Sequence, residues 1–284
     1  MSAAPVPIEM PSGKDASGEN FPVGSFLIAA PLRRHVAVYY AFARAIDDIA
    51  DTGVLEPAGK IARLERMAAA LESGADAGNP ALAKAHALRA SMVERGIDFA
   101  HGLDLISAFR QDAVKARYAS WDELMDYCNR SAAPVGRFLL ALHGEDEALY
   151  AQSDALCNAL QVINHLQDMG DDYRSIDRVY LPEDWMAEAG ARREDLAGSA
   201  LTPALRKVAG RCLAGTRALL ARAAPLAGDL KSRRLGMETA VIQRIAVRLT
   251  GELSRRDPLA ERVKLSRGQL IACGLGGIVA GLGG

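Results

Sequence analysis

The chain has little cysteine, almost no net charge and no apolar run that reads as a membrane span, and each lack closes off a class. Its four cysteines, Cys128, Cys157, Cys212 and Cys273, have no CxxC spacing and fall inside helical patterns. Disulfides and a zinc site are therefore not expected, and buried reduced thiols of a cytosolic protein are. A formal net charge of -1 gives no electrostatic footing for nucleic acid. GxSxG, HExxH, the P-loop and the GxGxxG of a nucleotide fold are all missing, and the glycines from Gly274 onward follow no strand. The first residues lack a basic region followed by an apolar stretch, so they are not read as a secretory signal, and residues 1–18 are expected to be mobile. Leu270 to Gly281 is apolar, yet short and glycine-rich for a spanning helix. It is expected to be a final helix covering the core, with the GxxxG from Gly277 to Gly281 a weak pointer to membrane contact.

Strands are also hard to find, because β-branched residues alternating with polar ones are absent and nearly every segment carries a 3.6-residue apolar period. The expected fold is all-α, a single domain over residues 19–284, since no linker interrupts the middle and half the residues are hydrophobic. The periodicity predicts helices over 32–52, 57–73, 80–96, 101–116, 121–143, 146–172, 202–228, 232–256 and 266–280, punctuated by Pro57, Gly74 to Pro80, Gly144, Pro182, Pro203, Pro225 and Pro258. Ser120 before Asp122 and Glu123 marks a helix start. Short links favour antiparallel neighbours, which leads to the expectation that the acidic helices described next face a central cavity.

What is present is a pair of aspartate clusters set into apolar helices, Arg44-Ala-Ile-Asp47-Asp48-Ile-Ala-Asp51 and Gln161 through Asp172. Asp47 and Asp51 lie one helical turn apart, as do Asn164, Asp168 and Asp172, with Gln161 one turn further back. Like charges at that spacing repel, and carboxylates at a helix C-terminus also oppose the macrodipole. A divalent cation between them and an anionic ligand reverses the sign. Mg²⁺ suits the role, because it is commonly held by one or two carboxylates plus substrate phosphates. Any one of these aspartates alone reads as a surface carboxylate; two matching sets, the first of them flanked by Tyr39, Tyr40, Phe42, Ile46 and Ile49, do not. Arg44 is equally a salt-bridge partner of Asp47 and Asp48 or a phosphate ligand. His165 is rotated from the aspartate face and reads as a packed histidine. The stretch from Asp171 to Pro182 is polar and aromatic, so it reads either as a cap that points Arg178 and Tyr180 into a cavity or as a surface loop.

With these residues in hand, the chain resembles the squalene and phytoene synthase family, the head-to-head trans-isoprenyl diphosphate synthases, from about Glu19 to Ser266. The resemblance rests on Tyr40 through Asp51, Arg117-Tyr118, Tyr127-Cys128, and Gln161 through Asp172 followed by Arg178-Val-Tyr180-Leu-Pro182. It implies an isoprenoid synthase fold whose helices surround a central channel, with Mg²⁺ and diphosphate at the acidic motifs. By motif position, Asp47, Asp48, Asp51, Asp168 and Asp172 look like metal-binding carboxylates. Arg44, Gln161 and Asn164 look like diphosphate or metal-shell residues, Tyr127 like a channel tyrosine and Arg262 like a phosphate-side arginine.

Three departures separate the chain from much of that family: Gln167 where an arginine is common, Glu19 through Ser25 in place of a serine-rich segment, and polar Asn129 and Ser131 in the channel stretch. These signatures are similar to the bacterial hydroxysqualene synthase branch of hopanoid biosynthesis, which rearranges presqualene diphosphate and quenches the cation with water. The implied reaction needs charge neutralisation on the leaving diphosphate and an aromatic-lined channel that excludes bulk water. Within that reading, Ser131 should share a helix face with Tyr127 and Val135 and position the water together with Asn129; alternatively, Ser131 bonds a carbonyl of its own helix and Asn129 faces another helix. The rivals are condensation of two prenyl diphosphates to presqualene diphosphate, squalene or phytoene, and a non-catalytic scaffold that kept the fold. Expected partners are the isoprenoid diphosphate, the inner face of the membrane as a peripheral contact, and neighbouring isoprenoid enzymes, with no nucleic acid.

Overall fold

The computed structural model describes residues 27–282, so the Glu19 to Ser25 signature and the expected mobile start lie outside the described residues. The chain divides into two compact units, one over Ala30–Lys115 and one joining the described part of Asn20–Ala29 to the residues from Ala116 on. Each is all-α. Among the described residues the nearest approach to a strand is a single parallel bridge between Arg117 and Val179.

The first unit contains α1 (Ala30–Asp51), α2 (Pro57–Ser73), α3 (Ala83–Arg95) and α4 (Ala100–Asp112), with a 3₁₀ turn at Pro80–Leu82. Pro57 opens α2 at a position whose N–H would be unpaired in any helix. Gly96 ends α3 at φ 65, and the chain turns back there, with the Ile97 N–H donating to the Met92 carbonyl at 2.9 Å. A side chain at that φ would be strained, so the glycine fixes the stop. Phe42, Ile46 and Ile49 of α1 are fully buried with Leu64, Met67 and Leu71 of α2 and Leu88 and Met92 of α3. The apolar side of α1 is thus committed to packing, and its polar side is left over.

The second unit contains α5 (Trp121–Ser131), α6 (Ala133–His143), α7 (Tyr150–Ile176), α8 (Glu183–Ala189), α9 (Pro203–Ala223), α10 (Leu226–Asp229), α11 (Arg233–Leu253) and α12 (Arg267–Leu282), with 3₁₀ turns at Glu147–Leu149 and Arg193–Ala197. α7 is its axis, 27 residues packed by α5, α6, α9 and α11, or about 40 Å at 1.5 Å per residue. Ser120 caps α5 as expected, its hydroxyl accepting from the Glu123 N–H at 3.3 Å.

Proline explains where the expected boundaries fail. The single helix expected over 121–143 is two, broken at Ala132 with φ -125 and ψ -45, because Pro134 offers no N–H and its ring clashes with the carbonyl four residues back. Pro225 likewise divides the expected 202–228 helix into α9 and α10. The short α8 was not anticipated. It starts at Pro182, read in sequence only as punctuation, and carries Glu183 and Asp184 in its first turn, where the helix dipole favours them.

Candidate active site

On α1, Tyr39, Phe42, Ala45, Ile46, Ile49 and Ala50 are buried, while Tyr40, Arg44, Asp47, Asp48 and Asp51 form a half-buried stripe. Arg44 donates from Nη1 to Asp47 Oδ2 at 2.9 Å, and its Nε lies 3.9 Å from Asp48 Oδ1. The second distance is a charge contact only, and the buried Nε has no hydrogen-bond partner. Arg44 is therefore an internal counter-ion that still holds one unspent donor. The last turn of α1 contains no basic residue, so three carboxylates crowd the negative end of the helix dipole. Lys60 of α2 offsets part of this by donating to the Ala50 carbonyl at 2.7 Å. Among the described residues no group of three or more His, Cys, Asp or Glu side chains is placed to hold a metal ion by itself. Oxygen-only, partly open carboxylates fit Mg²⁺, which keeps waters and takes ligands from a phosphate.

On α7 the second set forms the same kind of stripe: Gln161, Asn164, Asp168 and Asp172 are half-buried, while Val162, Ile163, His165, Leu166, Gln167 and Met169 between them are buried. In the stretch 171–182, Asp171, Arg174, Ser175 and Asp177 are exposed, while every residue from Arg178 to Pro182 is buried, so that second half is not a surface loop. It runs beside residues 116–119, with the Val179 N–H donating to the Ala116 carbonyl and the Glu183 N–H to the Tyr118 carbonyl, each at 2.9 Å. Arg117 anchors its start through an ion pair with Asp177. A surface loop would not bury a guanidinium, whereas Arg178 is buried and donates to the Tyr180 hydroxyl at 3.3 Å.

That segment completes an aromatic cluster. Tyr180 stacks on His165 with centroids 3.4 Å apart and planes at 14°, and on Tyr118 at 5.5 Å. Tyr127 stands 5.2 Å from Tyr118, 5.8 Å from Tyr180 and 6.3 Å from His165. Burial, with the Arg178 charge added, pushes the His165 pKa down to about 3, so the imidazole is neutral at ordinary pH. Its Nε2 is buried without a hydrogen-bond partner. Tyr118 and His165 were not among the residues singled out for the site, and no period marks them, since each joins the cluster through a tertiary contact.

Asn129 and Ser131 part company. Asn129 is exposed and accepts from the Asn158 Nδ2 of α7 at 2.7 Å, beside a 280 Å³ cavity also lined by Met125, Asp154 and Arg222. It faces another helix, the alternative raised for it above. The shared face expected for Ser131, Tyr127 and Val135 does not form: Tyr127 is 2% exposed and Val135 37%, because the break at Ala132 separates them. Ser131 makes no bond to a carbonyl of its own helix either; its Oγ is buried without a partner. Arg262 is exposed, next to buried Val263. The Val263 carbonyl accepts from Gln167 Nε2 at 2.6 Å, so the glutamine ties the segment after α11 to α7.

All four cysteines are free, and burial pushes the Cys157 and Cys212 thiols up to about 12. They are inert thiols.

The squalene/phytoene synthase family model matches residues 14–269. A hydroxysqualene synthase of Zymomonas mobilis is 44% identical over 262 residues, covering 92% of this chain and 87% of that protein. One from Rhodopseudomonas palustris is 44% identical over 272 residues, covering 94% and 90%. The crystal structure of squalene synthase HpnC from Alicyclobacillus acidocaldarius superposes with a TM-score of 0.72 at 30% identity, covering 82% of this chain and 87% of that one. With its all-α isoprenoid synthase fold and the two acidic stripes, the chain belongs to the squalene/phytoene synthase family.

Proposed function

We propose that the protein converts presqualene diphosphate into hydroxysqualene with release of diphosphate, water capturing the carbocation. The observation that carries this is 44% identity, over more than nine-tenths of the chain, to two hydroxysqualene synthases. The local chemistry supports it. Asp47, Asp48 and Asp51 in one unit, and Asn164, Asp168 and Asp172 in the other, would each hold Mg²⁺, which neutralises charge on the leaving diphosphate. Arg44 turns its unspent donor to a phosphate oxygen, with Gln161 and exposed Arg262 as further polar ligands. Tyr118, Tyr127 and Tyr180 present ring faces to a cation. Neutral His165 fills the cluster without adding positive charge beside that cation. Arg178 holds the Tyr180 hydroxyl, which orients its ring. The orphaned Ser131 hydroxyl is a ready acceptor or donor for one water, whose oxygen bonds to carbon and then sheds a proton.

Among the described residues no helix is long and apolar enough to cross a membrane. A water-insoluble product places the enzyme at the inner face of the membrane as a peripheral protein, close to the enzymes that supply its substrate and take its product.

Purified protein given presqualene diphosphate and Mg²⁺ should release hydroxysqualene, identified by mass, without any nicotinamide. A second reading is favoured by the name of the structural relative, a squalene synthase. Squalene as the sole product, with an absolute need for NADPH, would establish it instead. Turnover of farnesyl diphosphate alone would move the protein to the condensation step, and no turnover of any isoprenoid diphosphate would leave the scaffold reading.

A further inference from the structure

α12 has no charged residue after Arg267. One side packs on α11: Cys273 and Gly277 are buried, and a Cβ on Gly277 would lie 2.7 Å from the Val241 backbone. Only glycine permits that approach. The other side carries large apolar groups in the open, with Leu270 40%, Ile271 63%, Leu275 64% and Val279 69% exposed. Ile271, Leu275 and Val279 follow at four-residue spacing and so form one stripe along the helix. A helix facing only water would carry charge there.

Beside the stripe lies a cavity of about 870 Å³ walled by Ala272 and Cys273 of α12 and by the residues of α9 to α11. Lys231, Arg233, Arg244 and Arg248 line it, and no aspartate or glutamate does. Arg244 reaches α12 itself, its Nη1 lying 3.0 Å from where a Cβ on Gly276 would stand. None of the four forms an ion pair among the described residues. Unneutralised cations in a trough call for phosphate, and the adjoining stripe calls for acyl chain.

We infer that α12 and this basic trough dock the protein on an anionic lipid bilayer, lipid phosphates entering the trough while Ile271, Leu275 and Val279 enter the acyl boundary. A second copy fits less well, because an isologous pairing would set the four cations of one trough against those of the other. The inference rests on the reading of a peripheral membrane protein, and it does not depend on which isoprenoid product is made.

The test is sedimentation of the purified full chain with phosphatidylcholine vesicles, with and without phosphatidylglycerol, alongside turnover in detergent. The wild type should sediment with the phosphatidylglycerol vesicles and release at high salt. Arg244→Gln with Arg248→Gln should weaken that binding by about 25-fold, at about fivefold per basic residue near an anionic surface. Ile271→Ser with Leu275→Ser should weaken binding to both vesicle types. Turnover in detergent and the melting temperature should not change. Wild-type protein that sediments with neither vesicle would overturn the peripheral reading itself. Wild-type binding that both double variants retain would overturn the α12 assignment alone. A dimer in sedimentation velocity that Ile271→Ser with Leu275→Ser dissociates would give the stripe to a second copy.

Discussion

The two acidic stripes solve the same electrostatic problem by different means. α1 carries its own counter-ion: Arg44 sits one turn before Asp47 and Asp48 and touches both within 4 Å. α7 has no cation at the matching place; Gln161 and Asn164 precede Asp168 and Asp172, and the nearest arginines along the chain, Arg174 and Arg178, follow them. Of these, Arg174 pairs with Asp171, and Arg178 counts the Tyr180 hydroxyl among its contacts. The first stripe thus carries an arginine one turn ahead of its aspartates, whereas in the second that place is taken by the neutral amides of Gln161 and Asn164. Carboxylates one turn apart on a helix face repel, and a divalent cation between them and an anionic ligand reverses the sign.

Removing one carboxylate from each stripe has the largest expected effect. Asp168→Asn should lower kcat about a hundred- to thousandfold, the scale on which a preorganised charge-stabilising group acts, and Asp51→Asn should do so to a lesser extent. Both should fold normally, and circular dichroism melts check this. Equal, small losses would show that neither stripe serves a metal.

His165 distinguishes the α7 region by pH. Its pKa of about 3 in the folded protein lies below the ordinary 6.5, so below pH 6.5 the unfolded chain binds a proton that the folded chain refuses. Stability is therefore complete above pH 6.5 and falls as the pH drops toward 3, by about 2 kcal/mol at pH 5 for this group alone. His165→Phe keeps the stacking and should flatten the fall in melting temperature between pH 7 and pH 5. Identical slopes for wild type and variant would mean that the imidazole reaches water.

Arg44→Lys preserves the charge of α1 but loses the fork. It should cost about tenfold in kcat/KM with stability changed by under about 0.5 kcal/mol. Gln167→Ala should instead act on stability, costing about 1–3 kcal/mol by orphaning the buried Val263 carbonyl. Chemical denaturation measures it, and an unaltered midpoint would show that the segment after α11 needs no tether.

How far the sequence carried this reading depended on whether the relevant order was local. The stripes were legible because a helix repeats every 3.6 residues, and Asp47 with Asp51, or Asn164 with Asp168 and Asp172, stay on one face whatever packs nearby. Ser120 as a cap is equally local. The aromatic cluster was not legible, since Tyr118, Tyr127, His165 and Tyr180 come from different segments and meet through the bridge at Val179, which no periodicity announces. Pro134 was in view, but its break was overridden by an unbroken apolar pattern on both sides. That error moved Val135 to the surface and removed the face on which Ser131 had been placed.

Ser131 gives the smallest and most specific prediction, because it concerns which product forms more than how fast. Its Oγ is buried without a partner, a state that costs about 1–3 kcal/mol unless a water or ligand satisfies it. Asn129, by contrast, is already engaged with Asn158 and exposed. The two polar residues of the channel stretch should therefore respond differently. Ser131→Val replaces the hydroxyl with a branched pair of methyl groups that cannot hold water, and should divert part of the cation to eliminated or rearranged hydrocarbons at nearly unchanged KM. Asn129→Leu should leave the product mixture as in the wild type and at most alter stability slightly. Gas chromatography of the lipid products reads both outcomes. An unchanged alcohol yield from Ser131→Val would show that the capturing water is held elsewhere, and a diverted product from Asn129→Leu alone would return the role to the asparagine.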